Sequence, residues 1–212
     1  MRTSHLKIDA EGLSNRQGEI VQWGDSSVTV SLLGAMDNRE GKVAINGAGF
    51  SLTSTQLDNA SGAIEHAGEG ELSVRTGTFK NVAGLLATNG TLHLALDAWR
   101  NDLGTVSAKR GLTTEVSGLL SNRQGLVQSG ADFRLRAAEL RNHGGRMLAL
   151  GHEAMTISVA GLFETTGIGN DTGEVAGVGD VSVVAGELSN SGRWAAKGSL
   201  WLRSLGGALR RR

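Results

Sequence analysis

The fold class that the sequence predicts is all-β: a parallel β-helix, or solenoid, of about nine coils with ~20–22 residues each. Three observations predict it. One frame recurs nine times: an apolar residue, an Asn two positions on, a Gly three further, and an apolar residue two beyond that. Between these frames apolar residues come in pairs spaced by two, which is strand spacing. The 212 residues also contain 32 Gly and no Pro, as suits a backbone whose N–H groups are committed to ladders.

The Asn residues of the frame are Asn15, Asn38, Asn59, Asn81, Asn101, Asn122, Asn142, Asn170 and Asn190, at spacings of 23, 21, 22, 20, 21, 20, 28 and 20. Each is read as a corner. Its amide both donates and accepts, so equivalent Asn residues of adjacent coils can form a ladder. Asn also tolerates the left-handed backbone of a sharp turn, and the Gly that follows supplies positive φ without strain. No catalytic chemistry is needed to explain Asn-x-x-Gly.

The strands follow from the apolar pairs. The first repeat has Leu13, Asn15, Gly18 and Ile20, then Val28 and Val30; the fourth has Phe79, Asn81, Gly84 and Leu86, then Leu92 and Leu94. The sixth and seventh repeat the pattern, closing on Phe133 with Leu135 and on Met155 with Ile157. This predicts short strands of three to five residues, each paired with its equivalent one coil above and below. Coils about 4.8 Å apart make a rod roughly 43 Å long. No repeat carries the i, i+3, i+4, i+7 spacing of a useful helix. A leucine-rich repeat would need several Leu ahead of each Asn, and only one stands in phase.

The array runs from 1 to 212 as one element, and its frame is expected to be cut within repeats at both ends. The 28-residue spacing places an inserted loop at 158–167. In the ninth repeat Trp194 takes the apolar place, with Gly192 one residue early. Met1 to Ala10 has no apolar core of signal-peptide length, and no stretch approaches the ~20 apolar residues of a membrane span.

The frame Leu13-Ser14-Asn15-Arg16-Gln17-Gly18-Glu19-Ile20, matched by Leu120-Ser121-Asn122-Arg123-Gln124-Gly125-Leu126-Val127, resembles the haemagglutinin repeat of filamentous haemagglutinins and contact-dependent inhibition exoproteins. The resemblance covers about residues 6 to 202. It implies a right-handed β-helix exported from a Gram-negative bacterium by two-partner secretion. The chain would then be a structural shaft segment of a secreted or cell-surface adhesin, with the stalk of a toxin-delivery filament as the alternative. Its implied partners are the outer-membrane transporter and cell-surface glycans or receptors. A β-helical carbohydrate-active enzyme is a distant third.

The chemical inventory predicts no catalytic, cofactor or metal site. His5, His66, His93, His143 and His152 are scattered and are read as surface-loop residues; His152-Glu153 lacks the second His of a zinc protease motif. Gly167-Ile168-Gly169 opens no helix, and Ala196-Lys197-Gly198 lacks the phosphate-loop frame. With no Cys there is no thiolate site, and 21 basic against 21 acidic residues give no electrostatic case for nucleic acid. Candidate binding residues lie on the outward stripe Thr29, Ser51, Ser73, His93, Arg134, Thr156, Ser182 and Trp201. Trp201 would serve as a stacking platform. Arg134 and Arg136, with Arg141 and Arg146, form a basic patch. Of the sequons at Asn59, Asn89 and Asn170, Asn89 alone lies outside the corner frame.

Overall fold

A computed structural model of the chain describes residues 2–3, 5–206 and 210–211. Among them there is no helix, and all but one isolated bridge of the β-pairing is parallel. Each coil is built from a four-residue strand and a long strand. Nine four-residue strands, such as Leu85–Thr88 and Thr105–Ala108, stack with the two-residue Arg2–Thr3 into one sheet of ten; the long strands, such as Thr91–Arg100, stack into the other. A strand's neighbour is always its equivalent one coil along: Leu92 lies beside Leu112, and Leu86 beside Val106.

Alternation within the strands sends one set of side chains inward, and the register stacks like on like. Val28, Phe50, Leu72, Leu92, Leu112, Phe133, Met155 and Val181 form one inner column, and Ile20, Val43, Ile64, Leu86, Val106, Val127, Met147 and Val175 another. In a third column the rings of Phe79 and Trp99 stack 6.2 Å apart at 15°. An isolated coil would bury too few of these groups to offset the ordering of its backbone, so the coils stabilise one another.

The long strands correct the expected strand length. They reach 9 to 12 residues in Phe50–Asp58 through Val181–Asn190. Their inward residues run Leu92, Leu94, Leu96 and then Trp99, Asn101, so the alternation slips by one residue at a bend. The apolar pattern breaks there while the hydrogen-bond ladder continues. The bend also absorbs length: two residues separate Leu96 from Trp99, whereas three separate the equivalent Val116 and Leu120.

At the corner, six amide–amide hydrogen bonds of 2.7–2.8 Å run without a gap from Asn15 through Asn38, Asn59, Asn81, Asn101 and Asn122 to Asn142. Each Nδ2 donates to the Oδ1 of the next Asn and to carbonyls as well; Asn101 also meets Gly104 O at 3.2 Å and Leu126 O at 3.3 Å. Asn38 to Asn142 are wholly buried.

Two details of the corner differ from the sequence reading. The left-handed residue is neither the Asn nor the Gly but the one before the Gly: Gln17, Glu40, Ser61, Ala83, Leu103 and Gln124 have φ of 51–59°. The Gly is there for proximity. A Cβ on Gly104 would lie 2.0 Å from the Asn81 carbonyl oxygen one coil back, where no side chain fits.

The ladder ends short of its expected length. Asn170 is exposed and outside it; the position beside Asn142 belongs to Thr165, which is buried. Thr165 follows Phe163 as each ladder Asn follows its apolar partner, and its hydroxyl accepts the Trp194 indole N–H at 3.0 Å. Asn190 stays in register with Thr165, but its Oδ1 accepts the Gly192 N–H. The expected loop at 158–167 is therefore misplaced. Residues Met155–Thr166 form one ladder strand, and the extra length sits in the corner after it, ahead of Gly173. There Ile168 and Asp171 close a small antiparallel bridge, and Gln124 donates to Asp171 at 2.8 Å.

Replacing Asn101 by Ala removes an acceptor and three donations from a dry corner, and should cost about 1–3 kcal/mol or more as a loss of unfolding free energy in denaturant. Asn170→Ala should stay within about 0.5 kcal/mol of the parent. Equal effects at the two positions would refute the ladder as drawn.

Candidate binding surfaces

The last residue of each four-residue strand points inward at a second corner: Gln22, Ile45, His66, Thr88, Ala108, Ser129 and Ala149. The polar members close the turn that follows. Gln22 Nε2 donates to Gly24 O at 2.7 Å, and the Ser129 hydroxyl lies 2.6 Å from Arg110 O. His66 is 2% exposed, which corrects its reading as a surface histidine. Its Nε2–H donates to Gly47 O at 2.9 Å, so Nδ1 accepts from the Thr88 hydroxyl at 2.9 Å. That hydroxyl oxygen in turn accepts the Gly90 N–H at 3.0 Å. Burial holds the His66 pKa below its usual value, only partly offset by the Gly47 carbonyl. The mixed polarity of this column hid it from periodicity; the signal was its fixed place at the end of every short strand.

Facing outward on the long strands, the register joins Thr29, Ser51, Ser73, His93, Thr113, Arg134, Thr156, Ser182 and Trp201 into one stripe. Trp201 is 73% exposed, three coils or about 14 Å from Arg134. Arg136 occupies the next outward column, beside Glu115. The expected basic patch does not assemble. Arg134 pairs with Asp132, Arg136 approaches Glu115 at 3.5 Å and Arg141 approaches Glu139 at 3.7 Å. Arg146 lies on the other sheet, 3.0 Å from Glu174. At the first corner Arg39 holds the Asp37 carboxyl down to about 2 through a bidentate hydrogen bond. At Asp102 burial raises the pKa, but the Ser121 hydroxyl, the Arg100 guanidinium and the Arg123 N–H together bring it below normal.

The outer face of the four-residue sheet carries a groove of about 680 Å³ parallel to the rod axis. Its floor is the column Val21, Ala44, Glu65, Ala87, Ser107 and Gln128. Trp23, 65% exposed, and Leu150, 52% exposed, stand at its two ends. A second, shallower depression of about 850 Å³ follows the bend of the long strands, with Arg75, Asp97, Glu115 and Arg136 around it. Among the described residues no group of three or more His, Cys, Asp or Glu is placed to hold a metal ion, and no helix is long and apolar enough to cross a membrane. Of the three sequons, Asn59 is buried in the ladder while Asn89 and Asn170 are exposed.

The family described as haemagglutinin repeat matches residues 3–123 and 104–210. The tRNA nuclease CdiA-2 of Burkholderia pseudomallei (strain 1026b) is 36% identical over 98 residues, which is 44% of this chain and 3% of that protein. The chain thus spans a small fraction of that relative's length. No solved structure matches.

The corner histidine sets a pH dependence. A folded-state pKa below 6.5 means that the contribution of neutral His66 is complete above 6.5 and is lost as pH falls toward the folded value. Thermal unfolding should hold level from about pH 8 to 7 and decline below about 6.5. His66→Gln, which places the Gln22 side chain type in the same column, should remove that first decline. Asp37 contributes at lower pH: its share is present above 3.8 and lost toward about 2, so Asp37→Asn should flatten that limb.

Proposed function

The chain belongs to the haemagglutinin-repeat family, and from that premise we propose that it is a shaft segment of a secreted bacterial surface exoprotein. Its work is mechanical: it holds adhesive or effector regions away from the cell on a rod whose length is set by coil count. The observation that carries this reading is the unbroken stacking of repeat on repeat, with the amide ladder buried along its corner. The whole protein would leave a Gram-negative cell through an outer-membrane two-partner secretion transporter and meet glycans or receptors on a neighbouring cell. Trp201, Arg134 and Arg136 are the candidate contacts on the long-strand face.

A second reading, the stalk of a contact-dependent toxin-delivery filament, is favoured by the similarity to CdiA-2. The nuclease named in that relative belongs to it, and the match touches 3% of its length. Both readings take this segment to be non-catalytic.

Reading the gene outward on both sides separates them. Repeats that continue toward a secretion domain upstream support the shaft, and the downstream domain then decides between adhesin and toxin stalk. Repeats that stop at once on both sides would overturn both. Incubated with acidic polysaccharides, the purified chain should release no reducing ends; measurable depolymerisation would turn the assignment toward an enzyme.

A further inference from the structure

Building on the reading of this chain as part of a surface exoprotein, we propose that the groove on the four-residue sheet binds a neutral linear polysaccharide laid along the rod axis. From Trp23 to Leu150 the groove crosses six coil intervals, about 29 Å. That is the footprint of an extended polymer rather than a compact ligand.

The chemistry of the lining narrows the polymer. The strands beneath the groove direct their N–H and C=O groups along the axis into neighbouring coils, so the floor has no free edge to which a peptide strand could add. Charge excludes a polyanion. Glu65 is paired with Lys42 at 2.7 Å, which leaves Lys109 as the one cation among the lining residues. A nucleic acid or a sulfated chain would require several.

What remains suits sugar rings, which present apolar C–H faces and a rim of hydroxyls. Trp23 offers an exposed ring for stacking, and Ala44 and Ala87 keep the floor low and apolar. Two amides, Asn46 and Asn89, stand along the turn edge two coils apart, with Ala67 between them. Asn46 Nδ2 donates to Trp23 O at 3.2 Å and Asn89 Nδ2 to Ala67 O at 3.0 Å, so each of these exposed side chains is held in place. Gln128 is likewise fixed by a 3.0 Å hydrogen bond to Ser107. Groups already ordered lose little entropy when a ligand arrives.

The test titrates the 212-residue chain with β-1,4-linked hexasaccharides of glucose, xylose, galactose and N-acetylglucosamine, with heparin as the sulfated comparison, by calorimetry and tryptophan emission. At least one neutral sugar should bind with a change in emission. Trp23→Ala should weaken it about tenfold or more and remove that change. Ala87→Arg should block the floor, and Leu33→Ala, at an exposed residue outside the groove lining, should leave binding intact. Far-UV circular dichroism confirms that each variant is folded; Trp23 is exposed, so its variant folds even where Ala87→Arg does not. Binding of none of the neutral sugars, binding of heparin alone, or binding that Trp201→Ala abolishes and Trp23→Ala does not, would each overturn the proposal. None of these results bears on the shaft reading, which the flanking gene sequence decides independently.

Discussion

The hydrogen bonds between successive coils are the constraint on which the rest of this chain depends. Each strand finds its partners about 20 residues along the sequence, in parallel register, and almost none within its own coil. Parallel pairing of this kind brings every residue opposite its equivalent. Once that register is set, the inward columns stack apolar on apolar, and the corner stacks Asn on Asn. A single misplaced residue would turn a strand's whole inward set to solvent, so variation in coil length must be taken up where no ladder is damaged. The bend of the long strands and the turns between strands absorb it, as the extra residue between Val116 and Leu120 illustrates.

Much of this was legible because the columns repeat in the sequence itself. Leu13, Phe79 and Leu120 mark one inner column, and seven Asn residues mark the corner, by position alone. The failures have physical causes. At 168–170 the residues Ile-Gly-Asn imitate the frame, while the position that matters is held by Thr165, whose hydroxyl accepts the Trp194 indole N–H instead of continuing the amide ladder. The bend was invisible because alternation slips there without any break in backbone pairing. His66 was misread because a buried polar side chain closing a turn has the composition of a loop. The Gly of each corner was found but given the wrong reason, since its need is a close approach between coils rather than its own torsion.

Because the inner columns and the corner ladder stabilise the rod, the outward side chains are released from that duty. Six of the nine residues on the outward stripe carry a hydroxyl, and His93, Arg134 and Trp201 interrupt it at equivalent places, as a scaffold that tolerates variation on its outer surface allows. The two axial depressions arise from the same geometry. A feature that recurs once per coil becomes a furrow when the coils are stacked, and its character is then set by whichever residues line it.

The amide ladder also has a direction. Every step from Asn15 to Asn142 donates toward the higher-numbered coil and accepts from the lower, so the side-chain dipoles add head to tail instead of cancelling. Aligned amides polarise one another, and each further coil strengthens the bonds already made. One face of any such stack therefore presents amide donors and the opposite face carbonyl acceptors, like the two poles of a magnet. A rod built on this plan lengthens by adding units in a single orientation, and a unit placed upside down would meet like with like.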